Sequence, residues 1–570
     1  MSLARVAPSP APPGGADRWV DFPPSNNQKR PGVPRALRVR RKGGGGPPLP
    51  VPCNTCTIKE SVFVIISDLL DQFAEERDDK TFIICDEREY GYKTIRDRGA
   101  WIAANLARRG VGKGDKLILL MGNCMEFIYL FLGVGRIGAV IVPVNPMLKP
   151  EEIAYIATNA DATTLIMLPD FVPLLPVLRQ MAPSLRHVFV MGDKSAEGTE
   201  PFSALLEPVA EIPKADVTEQ DDAALIYTSG TTGAPKGVIL THRNYIWNAR
   251  TLLRVTVLQP SDRFLCILPL FHVNAQVVTL LTPLMGGADL VLMTKFNALG
   301  ILPMIAKYKV SIMSAVPTIY ALLCANPKAG EYDIRSMRFF VSGAAPMPED
   351  TYLATQRVLK TPLIQGYGLS EATCASAVAD HMDPIRWNSC GPALRYTRIR
   401  IVDADGKDVP AGVIGEILVS GPTVMKGYYK NPEATAEVLK DGWLSTGDLG
   451  RFDEEGYLYI VGRLKDMIIR GGQNIYPAQI EGVLLRMEGI AEAAVIGVDE
   501  PRWGQEVLAV VKLAEGAALT EKEIIAFCRE HLAPYKCPRY VRFVSELPKT
   551  ATGKIKKNVL AEQFAHVATG

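Results

Sequence analysis

Apolar, strand-like runs alternate with helical patterns through most of this chain, and no other feature constrains its fold as much. The clearest runs are residues 116–121, 188–191, 264–268, 290–293 and 339–342. Such alternation predicts α/β layering with largely parallel strands. From about Arg398 the pattern changes to short strands separated by Gly and Asp turns, among them Asp405-Gly406 and Glu455-Gly456. That stretch predicts a small antiparallel β region or barrel. The C-terminal stretch reads as another unit. Pro477 suits the first turn of a helix, Ile480, Val483 and Leu484 share one face of it, and Gly489 ends it. Strands follow at 493–498 and 506–513. Thr520 and Glu523 form a capping box for a helix running to about His531, and a last strand covers 540–544. The expected fold class is α/β. A large N-terminal domain of layered α/β subdomains plus a small β region (residues 59–464) precedes a small α+β C-terminal domain on a hinge (residues 465–570).

Residues 1–58 stand apart. They hold 12 of the 42 prolines, four consecutive glycines, and nine Lys/Arg against two Asp. Such a segment buries too little apolar surface to offset its ordering entropy, so a disordered tail is expected. It lacks the apolar core of a signal peptide, and its proline content argues against an amphipathic transit helix. The formal charge of the whole chain is +2; with +7 on the tail, the body carries −5. A mildly acidic body argues against a nucleic-acid surface. Ten cysteines without dense spacing suit a reducing, cytoplasmic setting. Cys53 and Cys56 have no second ligand pair nearby, so a metal or redox role is not expected of them. No run is long enough for a membrane span. Residues 127–144, broken by Arg136 and by Gly133, Gly135 and Gly138, read as a buried helix and then a buried strand. Peripheral membrane contact and a homodimer stay open.

The chemistry begins at Tyr227-Thr228-Ser229-Gly230-Thr231-Thr232-Gly233-Ala234-Pro235-Lys236-Gly237. Apolar runs at 223–227 and 238–240 flank this loop. Its glycines let the backbone approach oxygen anions. Successive N–H groups and hydroxyls can cradle a polyphosphate, and Lys236 adds a mobile charge. It is not a Walker-type P-loop, which needs Gly-x-x-x-x-Gly-Lys-Ser/Thr.

This segment resembles the signature of the adenylate-forming superfamily, which contains acyl-CoA synthetases, firefly luciferase and the adenylation domains of peptide synthetases. Further motifs of that superfamily follow in order over about residues 60–565. In Gln365-Gly366-Tyr367-Gly368-Leu369-Ser370-Glu371, the resemblance puts Tyr367 against adenine, the Ser370 hydroxyl near the α-phosphate and Glu371 on Mg²⁺. Ser370 stands where Thr is more usual. Gly343-Ala344-Ala345 after a strand matches the adenine edge. Asp448 matches the ribose-binding Asp and Arg463 the ribose-contacting Arg, while Lys465 matches the hinge residue. Gly471 and Gly472 match the loop that serves the second half-reaction, with Gln479 where Glu is usual and Glu481 retained. Lys554, in Thr552-Gly553-Lys554, matches the catalytic lysine. His272 matches the aromatic position near the carboxylate, which in CoA ligases gates the thiol channel.

The resemblance implies a carboxylate–CoA ligase using ATP, Mg²⁺ and CoA, with a small-molecule carboxylic acid as partner. A medium- or long-chain fatty acid is the default substrate. The alternatives are an aryl, cyclic or carnitine-like acid, or the loading of a carrier-protein thiol. The acyl pocket is expected along 272–276, around 316–320 and near Gln365, where the amides of Asn274 and Gln276 would suit a polar or aromatic acid.

Overall fold

The computed structural model of the protein describes residues 65–570 apart from 79, 194–195, 229–233, 383–385, 501, 550–554, 566 and 568–570. The predicted tail, with Cys53 and Cys56, lies outside the described residues.

Two eight-stranded sheets form the large N-terminal domain. In the first, Leu363–Tyr367, Phe339–Ser342, Ile312–Ala315, Arg263–Cys266, Asp289–Leu292 and Thr81–Cys85 run parallel in that spatial order, with antiparallel strands at both edges. In the second, a parallel set from Asp222–Thr228 through Val140–Pro143, Lys116–Leu120 and Ala162–Met167 continues to His187–Val190 and Glu200–Pro201. Successive residues of these strands enter different cores. Phe264 and Phe339 join one apolar cluster while Leu265 and Phe340 join another. Leu117 joins the first of these and Ile118 a third. Both faces of each strand are therefore buried, which explains why the runs read as continuously apolar. The first cluster includes the helices Ile66–Glu76, Tyr92–Arg108 and Met125–Gly133, which lie between the sheets. The outer faces are covered by Ala298–Tyr308 and Pro317–Ala325 on one side and by Pro150–Asn159 on the other. The expected helix-then-strand reading of 127–144 is observed, with a 3₁₀ turn, Val134–Ile137, between the two.

After Arg398 comes a five-stranded antiparallel sheet, ending in Trp443–Phe452 and Leu458–Arg463. The Asp405-Gly406 and Glu455-Gly456 turns are formed, with the glycine N–H groups donating to Asp403 and Asp453. Beyond Arg463 a new five-stranded sheet begins and shares no strand with those before it. Its helices Pro477–Leu484 and Glu521–His531 cover one face, and Lys557–Gln563 covers the other. The predicted capping box is present: Thr520 Oγ1 accepts from Glu523 N, and Glu523 Oε2 accepts from Thr520 N at 2.7 Å. Several boundaries differ from expectation by a residue or more, two of them in ways that bear on the small domain. The helix from Pro477 stops at Leu484, short of Gly489, and the expected strand 493–498 extends over Ile490–Glu500. Asp499 and Glu500 are polar, but they pair across the hairpin with Gln505 and Gly504. Among the described residues, no helix is long and apolar enough to cross a membrane.

Candidate active site

The phosphate-loop candidate is the turn of an antiparallel hairpin. Asp222–Thr228 pairs with Lys236–Thr241, with Thr228 opposite Lys236 and Tyr227 opposite Gly237. Thr228 and Lys236 thus stand at the two ends of the turn, whereas Ser229, Gly230, Thr231, Thr232 and Gly233 lie outside the described residues. A two-residue strand from far along the chain, Gly427–Tyr428, adds to the hairpin with Tyr428 opposite Val238. This strand brings in a residue that sequence reasoning missed. The Lys236 ammonium lies 5.1 Å from the centroid of the Tyr428 ring. The Tyr428 hydroxyl donates to Glu371 Oε1 at 3.1 Å. Glu371 sits in the 3₁₀ turn Ser370–Ala372, and its carbonyl accepts from Met425 N at 2.8 Å. The only sequence signal for Tyr428 was an aromatic residue beside Gly427.

A second constellation joins three motifs. The buried Tyr367 hydroxyl donates to Asp448 Oδ2 at 2.8 Å, and Arg463 Nε lies 2.7 Å from Asp448 Oδ1. Strand register sets Asp448 opposite Arg463. Burial first, and the Asp448 charge second, push the Tyr367 phenol well above its usual pKa, so it remains a neutral donor. Thr446 Oγ1 supports this turn by accepting from Asp448 N and donating to the Ile417 carbonyl.

Gly343, Ala344 and Ala345 leave the C-terminal end of Phe339–Ser342, next to Gln365-Gly366-Tyr367 on the neighbouring parallel strand. The crevice beyond the carboxyl ends of parallel strands is where open α/β sheets bind ligands. A Cβ on Gly343 would be 3.4 Å from the Gly366 carbonyl, and one on Gly368 would be 1.5 Å from the Cys374 carbonyl. Gly368 therefore admits no side chain. Ser342 Oγ and Gln365 Nε2, cross-strand neighbours, are buried with no hydrogen-bond partner among the described residues. Unpaired buried donors of this kind suit a polar ligand.

His272 stands in the segment after Arg263–Cys266, its N–H bonded to the Pro269 carbonyl and its ring 4.6 Å from that of Phe271. The expected use of two amides in the acyl pocket needs correction. Gln276 is fully buried, accepting from the Tyr245 hydroxyl at 2.6 Å and donating to the Leu270 carbonyl at 2.8 Å. Asn274 Oδ1 accepts from Ser314 Oγ at 3.2 Å. Gln276 is thus committed to packing within a π-helical stretch, Ala275–Leu281, while the half-buried Asn274 precedes it.

In the small domain, Lys465 lies in the turn Leu464–Asp466 directly after Arg463. Burial, aided by Arg463 and Lys557, lowers its pKa. Gly471 and Gly472 make the turn between Ile468–Arg470 and Gln473–Ile475, with φ of 56° and 79°. Gly471 N donates to the Trp503 carbonyl at 2.8 Å, and a Cβ there would be 2.9 Å from the Trp503 ring; a Cβ on Gly472 would meet nothing. Trp503 is the second residue that the sequence reading missed. Gln479 accepts from Lys536 Nζ, while Glu481 accepts from Val495 N and Lys557 Nζ. Lys554 lies outside the described residues.

No cluster of three or more His, Cys, Asp or Glu side chains occurs among the described residues. Glu371 offers one carboxylate, and one of its oxygens accepts from Tyr428, whose ring also meets Lys236. A lone carboxylate fits Mg²⁺ held jointly with phosphate oxygens rather than by an all-protein cage.

The description AMP-binding enzyme matches residues 70–429, and AMP-binding enzyme C-terminal domain matches residues 479–554. The chain belongs to the AMP-binding enzyme family. Among AMP-binding enzymes it is similar to a feruloyl-CoA synthase of Amycolatopsis sp, at 38% identity over 476 residues covering 83% of this chain and 94% of that one. It is also similar to a long-chain-fatty-acid–CoA ligase of Mycobacterium tuberculosis, at 36% over 463 residues covering 81% and 90%. Of solved AMP-binding enzymes, the anthranilate CoA ligase in complex with anthranoyl-AMP superposes with a TM-score of 0.82, at 30% identity, over 89% of this chain and 98% of that one.

Proposed function

We propose that the protein is an AMP-forming acid–thiol ligase. It converts a carboxylic acid, ATP and CoA into acyl-CoA, AMP and pyrophosphate by way of an acyl-adenylate. The observation that carries this reading is the convergence of Tyr367, Asp448 and Arg463 in one hydrogen-bonded set, which gathers three separated motifs in one place.

In the first half-reaction an ionised carboxylate attacks the α-phosphorus of ATP and pyrophosphate leaves. Two unit charges at 4 Å repel by about 1 kcal/mol in water and about 4 kcal/mol at an effective dielectric of 20. Bringing anions together therefore requires fixed cations. Lys236 faces the outer phosphates, with Thr228 and the loop after it lining them. Lys554 bridges carboxylate and α-phosphate. Glu371 holds Mg²⁺, which supplies charge neutralisation on the phosphate oxygens. Ser370 lies beside the α-phosphate. Tyr367 packs on adenine, whose edge meets Gly343, Ala344, Ala345, Gln365, Gly366 and Gly368. Asp448 accepts from the ribose hydroxyls, and Arg463 contacts the same sugar. No general base is needed.

In the second half-reaction the small domain pivots at Lys465, which withdraws Lys554 and presents Gly471 and Gly472. A CoA thiolate, admitted past His272, attacks the acyl carbon and AMP departs with the electron pair of the broken C–O bond. A fatty acid is the leading substrate. An aryl acid is the second reading, favoured by the likeness to the feruloyl-CoA synthase and by the orphan donors Ser342 and Gln365.

Pyrophosphate release with a panel of fatty and aryl acids, with and without CoA, tests this. CoA-dependent turnover on at least one acid is expected. Turnover that ignores CoA but responds to a carrier protein would replace the ligase reading with carrier loading.

A further inference from the structure

Lys236 and Glu371, the two charged groups proposed for the phosphate site, share one neighbour: a single side chain contacts both. The Tyr428 hydroxyl donates to Glu371 Oε1 at 3.1 Å, and its ring lies 5.1 Å from the Lys236 ammonium. We propose that Tyr428 is a positioning residue of the phosphate site: its hydroxyl fixes one oxygen of Glu371 so that the other is presented to the cation, and its ring seats Lys236.

The backbone around Tyr428 is built to hold it there. Its strand pairs with the strand that begins at Lys236. Tyr428 N donates to Thr435 Oγ1 at 2.9 Å, and its carbonyl accepts from Asn431 N at 3.2 Å. Tyr429 N donates to the Gly237 carbonyl at 2.7 Å. These bonds hold the Tyr428 backbone in place, and the ring is directed to the lysine and the carboxylate by its contacts with them.

The consequence for the site is chemical. With Oε1 accepting from the Tyr428 hydroxyl, Oε2 is the less engaged oxygen of Glu371 and is the one that would hold Mg²⁺, which would supply charge neutralisation beside the phosphates. Loss of a partner that orients a metal ligand in this way typically costs about 10- to 100-fold in metal affinity. The ring gives Lys236 a resting place of moderate strength, weak enough for a polyphosphate to draw it off.

This inference rests on the adenylation reading above, and the experiment separates the two. Tyr428→Phe keeps the ring and removes the hydroxyl; Tyr428→Leu removes both. Mn²⁺ binding to the full chain with a non-cleavable ATP analogue is followed by electron paramagnetic resonance. Pyrophosphate release is titrated with Mg²⁺, and thiolysis of supplied acyl-AMP is measured separately. Tyr428→Phe is expected to weaken Mn²⁺ binding and raise the Mg²⁺ needed for half-maximal release by roughly 10- to 100-fold, with thiolysis within about twofold of wild type. Tyr428→Leu is expected to raise the ATP KM as well. Wild-type Mn²⁺ affinity in Tyr428→Phe would overturn the proposal, as would equal losses in both half-reactions, which mark a merely structural role. If the wild type releases no pyrophosphate with any acid, the functional reading fails, and the Mn²⁺ measurement still decides the role of Tyr428.

Discussion

The Tyr367 hydroxyl and Asp448 Oδ2 meet at 2.8 Å, joining a strand end of the first large sheet to the antiparallel sheet. This bond makes the Asp448 carboxylate a part of the large domain's packing in addition to its proposed role toward ribose. The two roles separate by substitution. Asp448→Asn keeps an acceptor for Tyr367 and loses the charge; it should raise the ATP KM roughly tenfold with little change in stability. Asp448→Ala strands the buried Tyr367 hydroxyl and should in addition destabilise the fold by about 1–3 kcal/mol. ATP kinetics and urea midpoints of both variants check this.

Lys554→Ala should lower acyl-adenylate formation by at least about 100-fold, the scale of losing one preorganised charge donor. Thiolysis of supplied acyl-AMP should stay near wild type. Single-turnover assays of each half-reaction test the assignment, and an equal loss in both contradicts it.

Gly368 and Gly472 make opposite predictions for the same Gly→Ala change. A Cβ at Gly368 would overlap the Cys374 carbonyl, so Gly368→Ala should cost at least about 3 kcal/mol and abolish adenylation with it. Gly472 has φ of 79° and open space around it, so Gly472→Ala should cost roughly 1 kcal/mol. Its effect on catalysis should fall on thiolysis. Denaturation midpoints and half-reaction rates distinguish the two.

His242 makes stability depend on pH. It is buried, its Nδ1 accepts from Ile66 N at 3.3 Å, and burial pushes its pKa down to about 4. In the unfolded chain imidazole titrates near about 6.5. Between those values the unfolded state binds more protons, so acid favours unfolding. The contribution is complete above about pH 6.5, is lost as the pH falls toward about 4, and reaches at most about 3 kcal/mol. His242→Gln should flatten the fall in urea midpoint between about pH 7.5 and about pH 5.

What was legible in the sequence was local. Tyr367, Asp448 and Arg463 each lie in a short motif at the end or edge of a strand, and the resemblance of those motifs to the adenylate-forming superfamily assigned them to one site. The layered α/β class was legible because both faces of the parallel strands are buried, as Phe339 and Phe340 show by facing different cores. Tyr428 and Trp503 were not legible. Tyr428 acts through a strand pairing to Val238, and Trp503 through the N–H of Gly471; no spacing rule encodes either. Gln276 failed for the converse reason. Its neighbourhood to His272 suggested the pocket, yet the π-helical turn directs its amide to Tyr245.

The pairing of Gly427–Tyr428 with the phosphate-loop hairpin also bears on how the protein is made. The hairpin emerges from the ribosome early, but the strand that completes it is separated from it by most of the first large sheet and part of the antiparallel one. A nascent chain that ends before Tyr428 therefore carries the phosphate loop without the tyrosine beside it. Such a chain also lacks Asp448 and Arg463, so on the proposed reading the nucleotide site is complete only once the antiparallel sheet has been made.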